Sequence, residues 1–312
     1  MIPLPLDRLL VVGSTGLVGS KVASHASNYG FEAYGTRHER KSILSDSVEL
    51  DITDPTATLE LIQKIRPSVI VNTAAVTNVD YCETNREEAR RVNADGVKNL
   101  AAAARKNQSR LVQVSTDYVF DGYSGHYTEA DSTNPLQYYG ETKLEAENMV
   151  SDLPSFAIAR PSVIYGWAPS QPVGEAGAAK PMNFAMFVLD RLGKGDKVKA
   201  IRDQYASPTF ADNLGDALLL LAKSSENGIF HTAGRSCLSR YEFAIKLAEI
   251  FGYSSGQVEP VFSSEFKQLA KRPRNSCLRV DKAERSLGMS LLTADQGIKE
   301  MRNQRPLDEH ST

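Results

Sequence analysis

The chain has 312 residues, of which 41% are hydrophobic and 24% charged, and its formal net charge is −2. This is ordinary for a globular protein with a sizeable core, and the near-neutral balance gives no electrostatic ground for binding nucleic acid or a membrane surface. No apolar run approaches the ~20 residues of a transmembrane helix, and the opening Met1-Ile-Pro-Leu-Pro-Leu6 lacks the basic start of a signal peptide, so a cytoplasmic protein is expected.

In chain order, the apolar run Arg8–Val12 reads as a strand, followed by Gly13-Ser-Thr-Gly16-Leu-Val-Gly19 and a helical stretch to about Tyr29. Phe31–Thr36 and Val48–Leu50 read as further strands, and Asp54-Pro55 starts a helix that ends near Arg66-Pro67. A buried strand at Val69–Asn72, one long helix from Glu87 to Lys106, a strand at Leu111–Val114, a helix at Leu136–Met149 and a strand at Phe156–Arg160 complete the first half. Such alternation predicts an α/β fold, a doubly wound parallel sheet covered on both faces. After Gly166 the character changes. Ala168–Pro181 is rich in Ala, Gly, Pro and Ser, a composition that suits a lid or a surface insertion. Helices follow at Phe184–Leu192 and Leu214–Ala222, then a strand at Ile229–Thr232 and a helix Tyr241–Phe251 capped by Ser239. Cys82, Cys237 and Cys277 lie far apart with neither zinc nor disulfide-framework spacing, so reduced thiols are expected. The five histidines do not cluster, and no metal is inferred.

Three motifs carry chemistry. Strand, glycine turn and helix is the context of a dinucleotide site: Gly13, Gly16 and Gly19 let the backbone approach a pyrophosphate that the helix N-terminus attracts. Tyr139 and Lys143 stand four apart, which on a helix sets a phenol beside an ammonium. A nearby cation favours the phenolate, so Lys143 is expected to lower the Tyr139 pKa. Thr116, in Ser115-Thr116-Asp117 at a strand's carboxyl end, faces the crevice where open α/β sheets bind ligands. At the end of the second strand, Thr36 stands where an acid would favour NAD. Arg37 follows and suits a 2′-phosphate, which favours NADPH, with NADH possible and Glu39 arguing the other way.

Gly13-x-x-Gly16-x-x-Gly19, Asn72-Thr-Ala-Ala75, Ser115–Phe120 and Tyr139-x3-Lys143 resemble the extended short-chain dehydrogenase/reductase superfamily. Asp121-Gly122, Pro135–Lys143, Asp203–Thr209 and Arg272-Pro-Arg-Asn-Ser276 narrow the resemblance to the dTDP-4-dehydrorhamnose reductase family, over about residues 8 to 301. The regulatory beta subunit of methionine adenosyltransferase is similar too. The resemblance implies a Rossmann domain of residues 1–163 and about 210–235, and a substrate-binding region of about 164–209 and 236–312. It implies a nucleotide-sugar substrate reduced at a C4 ketone, with Thr116, Tyr139 and Lys143 catalytic. Cofactor contacts are implied at Gly13, Thr15, Gly16, Leu17, Val18, Gly19, Arg37, Asp51, Ile52, Ala74, Ala75, Thr77, Asn93, Tyr139 and Lys143. Substrate contacts are implied at Thr77, Val79, Asn183, Asp203, Gln204 and Arg274. Arg202 is a further candidate for the substrate diphosphate, against a solvated or salt-bridged role. Dehydratases of the superfamily carry Thr-Asp-Glu where this chain has Tyr118, which disfavours dehydration, and the Cys–His pair of GDP-fucose-type epimerase-reductases is not located. The alternatives are an NADP-binding regulatory subunit gripping a methionine adenosyltransferase, and a reductase or epimerase for another nucleotide sugar. Family members often form homodimers.

Overall fold

Successive side chains on a strand point to opposite faces, and β1 (Asp7–Val12) shows it: Leu9 and Val11 enter one core, Leu10 and Val12 another. The structure, a computed structural model, describes residues 6–38, 47–169 and 183–305. The first half runs β1, α1 (Leu17–His25), β2 (Phe31–Arg37), β3 (Val48–Glu49), α2 (Pro55–Ile65), β4 (Val69–Asn72), α3 (Val79–Thr84), α4 (Arg86–Arg90), α5 (Gly96–Asn107), β5 (Arg110–Val114), α6 (Tyr138–Ser151) and β6 (Phe156–Arg160). The second half adds β7 (Ile164–Tyr165), α7 (Phe184–Gly193), β8 (Val198–Ile201), β9 (Tyr205–Ala206), β10 (Thr209–Phe210), α8 (Ala211–Lys223), β11 (Gly228–His231), β12 (Leu238–Ser239), α9 (Arg240–Phe251), β13 (Val258–Val261), α10 (Asp281–Leu287) and α11 (Ala294–Asn303).

Seven strands form one parallel sheet in the order β11-β6-β5-β4-β1-β2-β3. Leu9, Val11, Val69, Val71 and Val112 pack under α1 and α8, while Leu10, Val12, Ile70, Leu111 and Ile158 pack under α2, α5 and α6. A third core, among α7, α9, α11, β8 and β13, centres on Phe243, Leu247, Val188 and Ile298. The strand order reverses between β1 and β4, the switch point at which doubly wound sheets open a crevice at their carboxyl ends.

Two expectations meet the structure differently. The long helix of residues 87–106 is interrupted by a π-turn over Arg91–Asp95, between α4 and α5. Asn93 sits in that turn with its amide bonded to the Val76 backbone, and such turns commonly mark places where a side chain must be re-aimed. The thiols are not all reduced: Cys237 and Cys277 form a disulfide with Cα atoms 5.4 Å apart, and only Cys82 is free among the described residues. Forty residues separate the pair, but β9 joins them: β12 pairs β9 antiparallel, and Tyr205 of β9 bridges Asn275. Most of Ala168–Pro181, and Glu39, lie outside the described residues. Among the described residues no helix is long and apolar enough to cross a membrane.

Candidate functional site

The β1–α1 turn is built for close approach. Gly13 takes φ +81°, where only glycine is unstrained, and a Cβ there would lie 3.0 Å from the Ala74 nitrogen. A Cβ on Gly19 would run into the Gly13 carbonyl and the Thr73 hydroxyl. Gly16 differs: only the Gly13 oxygen, at 3.4 Å, lies near a Cβ built there, so the other side is open. Gly16 caps α1 without a side-chain bond, and neither acid nor cap occupies the first turn. The first turn of α1, Leu17, Val18 and Gly19, thus begins beside the open side of Gly16 with its N-terminal dipole uncapped. Thr36 receives a hydrogen bond from Gly13 N–H (3.2 Å), so its hydroxyl serves the turn itself. Arg37 donates to Glu49 at 3.2 Å, a partly exposed pair that an anion would have to displace. Asp51 accepts from Thr53 N–H (2.9 Å), and Ile52 fills the space beside Gly96. Ala74 N–H donates to Asn72, and Ala75 follows it along the crevice edge. Asn93 is fully buried. Both ends of its amide hold Val76, and Nδ2 also donates to Thr142, so it supports the 74–79 loop.

Thr116, Tyr139 and Lys143 come together below the carboxyl ends of β5 and β6. Gln137 caps α6 by accepting from Gly140 N–H at 2.6 Å, which fixes the first turn. Tyr139, Lys143 and Glu147 then follow at four-residue intervals on its buried face. Thr116 lies close enough to Tyr139 to ease its ionisation against burial, and Tyr118 stands edge-on to the same ring, centroids 6.4 Å apart. Lys143 Nζ donates to the Val114 carbonyl at 2.7 Å, and burial lowers its pKa to about 8, against a raising effect from Glu147. Glu147 accepts from Ser115 and is gripped by two Arg160 nitrogens at 2.9 and 2.6 Å. The expected effect of Lys143 on Tyr139 is not found. Burial, the largest cause, pushes the phenol well above its ordinary value, so Tyr139 is held as a neutral acid. The physical reason is desolvation, which disfavours phenolate and ammonium alike.

Tyr118, edge-on to Tyr139, lines a cleft of about 880 Å³. Val79 and Gln204 line it, together with Tyr118, Arg240, Arg272 and Ser276, which the motif reading did not assign to it. Arg272 grips Asp80 with two nitrogens, at 2.5 and 2.9 Å, and this holds the Asp80 carboxyl below its usual range. Arg240 lies over the Phe184 ring at 5.1 Å. Gln204 exchanges hydrogen bonds with Gln268. The remaining candidates do local work. Asn183 caps α7 and donates to the Gly166 carbonyl. Asp203 accepts twice from Ser263. Arg202 stacks on Phe262 at 5.5 Å, Arg274 is exposed, and Thr77 is exposed at the rim. Arg272 opens the Arg272–Ser276 motif, which the sequence alone displays. Nothing in the local sequence marks Arg240.

A doubly wound sheet, a glycine-lined switch point and a buried Thr–Tyr–Lys group define an extended short-chain dehydrogenase/reductase. The chain belongs to the family described as the RmlD substrate binding domain, whose model matches residues 7–305. It is 33% identical to the dTDP-4-dehydrorhamnose reductase of Aggregatibacter actinomycetemcomitans, covering 95% of this chain and 99% of the relative. It is 30% identical to methionine adenosyltransferase 2 subunit beta of Danio rerio, covering 92% and 87%. Among solved structures, dTDP-4-dehydrorhamnose reductase from Bacillus anthracis in complex with NADP superposes with a TM-score of 0.84 at 26% identity, covering 95% of this chain and 98% of that one. The ortholog from Clostridium acetobutylicum gives 0.82 at 31%, with the same coverage.

Proposed function

We propose that the chain reduces the C4 ketone of a nucleotide-linked 4-keto-6-deoxy sugar with NADPH, as a cytoplasmic enzyme. The observation that carries this reading is the buried Thr116–Tyr139–Lys143 group behind Tyr118, which lines a cleft, together with a glycine turn that tolerates no Cβ at Gly13 or Gly19. Full-length relatives named as dTDP-4-dehydrorhamnose reductases support it, as does the NADP in the Bacillus anthracis structure. The residues fit the cofactor: the open side of Gly16 and the uncapped α1 would take its pyrophosphate, and Arg37 would take the 2′-phosphate on leaving Glu49. NADPH supplies the hydride when bound. Tyr139, kept protonated by burial, donates a proton to the carbonyl oxygen as charge develops there. Thr116 donates to the same oxygen and stabilises that charge. Lys143 would hold the cofactor's ribose, and Arg240, with Arg272 on leaving Asp80, would offer the cleft cations for the substrate diphosphate.

The test follows NADPH absorbance with purified protein and a dTDP-4-keto-6-deoxy sugar. Tyr139→Phe should lower kcat by ~10²–10⁴-fold, the usual contribution of a general acid, with NADPH binding kept. Tight NADPH binding without turnover would sink the reductase reading. The regulatory reading, which the zebrafish relative supports, would take its place, and co-purification with a methionine adenosyltransferase would establish it.

A further inference from the structure

Asp117 is a buried carboxyl that this mechanism does not use. It is 3% exposed, and hydroxyls from three segments reach it. Ser162 donates to Oδ2 at 2.7 Å and Ser276 to the same oxygen at 2.5 Å, while Thr116 Oγ1 lies 3.2 Å from Oδ1. Ser207 N–H donates to Ser162 Oγ, which leaves the Ser162 proton for Asp117. Among the described residues no lysine or arginine pairs with the carboxyl. The charged and titratable groups that bear on it are Arg240 at the start of α9, Tyr118 beside it and Tyr139 on α6; the β6 end and the 276 segment present only serines.

The protons of Thr116 can be counted. A threonine hydroxyl has one proton and two acceptor sites. Tyr118 N–H, at 3.2 Å, uses one acceptor site. If Asp117 were a carboxylate, the Thr116 proton would be spent on Oδ1, and Thr116 would have nothing to donate to a reacting carbonyl or to Tyr139. If Oδ1 carries a proton, the same 3.2 Å contact runs the other way: Asp117 donates to the second acceptor site, and the Thr116 proton is released toward the cleft. The serines favour one oxygen. Ser162 donates to Oδ2, and Ser276 reaches the same oxygen at 2.5 Å with the Tyr205 carbonyl farther off at 3.5 Å, so a proton on Oδ1, facing Thr116, keeps both serine contacts.

We propose that Asp117 is a positioning residue that carries its proton on Oδ1 and orients the Thr116 hydroxyl as a donor to the reacting oxygen. This rests on the reductase reading. Burial, which raises the Asp117 pKa, agrees with it, and carboxyls kept neutral so that they can donate are known in other active sites.

The deciding measurement is the infrared difference spectrum of resting wild type and Asp117→Asn at neutral pH, without substrate. A protonated-carboxyl C=O band in wild type, absent from the variant, is expected, and its absence from wild type overturns the proposal whatever the turnover. Should Asp117→Asn not fold, Ser162→Ala replaces it. Losing a donor to Oδ2 should move the same band, and an unmoved spectrum overturns the proposal. Kinetics supply the second arm. The asparagine amide can still donate to Thr116, so Asp117→Asn should lower kcat by less than about tenfold at unchanged KM, a barrier change under roughly 1.4 kcal/mol. Asp117→Ala, like Thr116→Val, should lower kcat by roughly 10²-fold or more, as loss of an oxyanion donor does. Equal losses in the asparagine and alanine variants, both folded and binding NADPH, would also overturn it. Failure of wild type to reduce any keto sugar would instead sink the reductase reading and leave the infrared result standing.

Discussion

Lys143 is held where its charge is unwelcome. It is 3% exposed, its ammonium has the Val114 carbonyl as its hydrogen-bond partner, and burial lowers its pKa from 10.5 to about 8. The sign of the stability effect follows. Below about pH 8 both folded and unfolded chains carry the proton, and the native state bears the whole cost of the buried ammonium. Between about pH 8 and 10.5 only the unfolded chain holds it, so folding stability rises with pH across that window. Lys143→Met removes the charge, and the Val114 carbonyl still accepts from Gln113. The variant should therefore be more stable than wild type near pH 7, by at most about 3.4 kcal/mol at 1.36 kcal/mol per unit. The advantage should fade toward pH 10.5, and the reaction should be lost. Urea denaturation of the unliganded protein at the two pH values reads it, and a less stable variant at pH 7 would refute the argument. At this scale the sequence was half legible. The Tyr–Lys spacing and the strand-end threonine land together because helix and strand periodicity place them. Asn93, Asn183 and Asp203 spend their polar atoms on nearby backbone or side chains instead, a competition to which short polar side chains are prone and which a one-dimensional motif does not show.

The β1–α1 unit separates two jobs that its glycines do. Gly19 is a packing glycine, since its missing Cβ is where the Gly13 carbonyl and the Thr73 hydroxyl sit. Gly16 has ordinary backbone angles, φ −78° and ψ 167°, and an open side. Gly19→Ala should shift the turn and lower the melting temperature, taking NADPH binding with it. Gly16→Ala should melt like wild type yet bind NADPH at least about tenfold more weakly, near 1.4 kcal/mol, because the added methyl occupies the approach to α1. Thermal melts beside fluorescence titrations with NADPH distinguish them. A Gly16→Ala protein with native affinity would remove this turn from the cofactor site. The elements themselves were legible because apolar runs and capping signals agree. Pro55 at the head of α2 and the Ser239–Glu242 capping box at the head of α9 are examples. The π-turn was not, because Arg91–Asp95 reads as ordinary helix until Val76 is known to lie across from Asn93.

Across the whole molecule, the cleft is closed by segments distant in the chain. Asp80, at the head of α3, grips Arg272, and Ser276 reaches back to Asp117. The Cys237–Cys277 disulfide locks this return, standing three residues before Arg240 and next to Ser276, both of which line the cleft. The doubly wound parallel sheet was readable from alternating strands and helices, whereas the pairing of two cysteines 40 residues apart depends on β9, which pairs β12 on one side and bridges Asn275 on the other. Closing a loop of that length restricts the unfolded chain, and the chain-entropy relation puts the stabilisation at about 4 kcal/mol. Treating the protein with a dithiol, or replacing both cysteines by serine, should lower its urea midpoint accordingly. Because the bond anchors the flanks of Arg240 and Ser276 but touches neither Tyr139 nor Thr116, the same change should raise KM for the sugar nucleotide more than it lowers kcat. Denaturation curves and initial rates with and without reductant measure both effects. An unchanged midpoint would mean that the bond does not constrain the chain, and a fall in kcat at constant KM would place its influence on the proton donors rather than on the cleft wall.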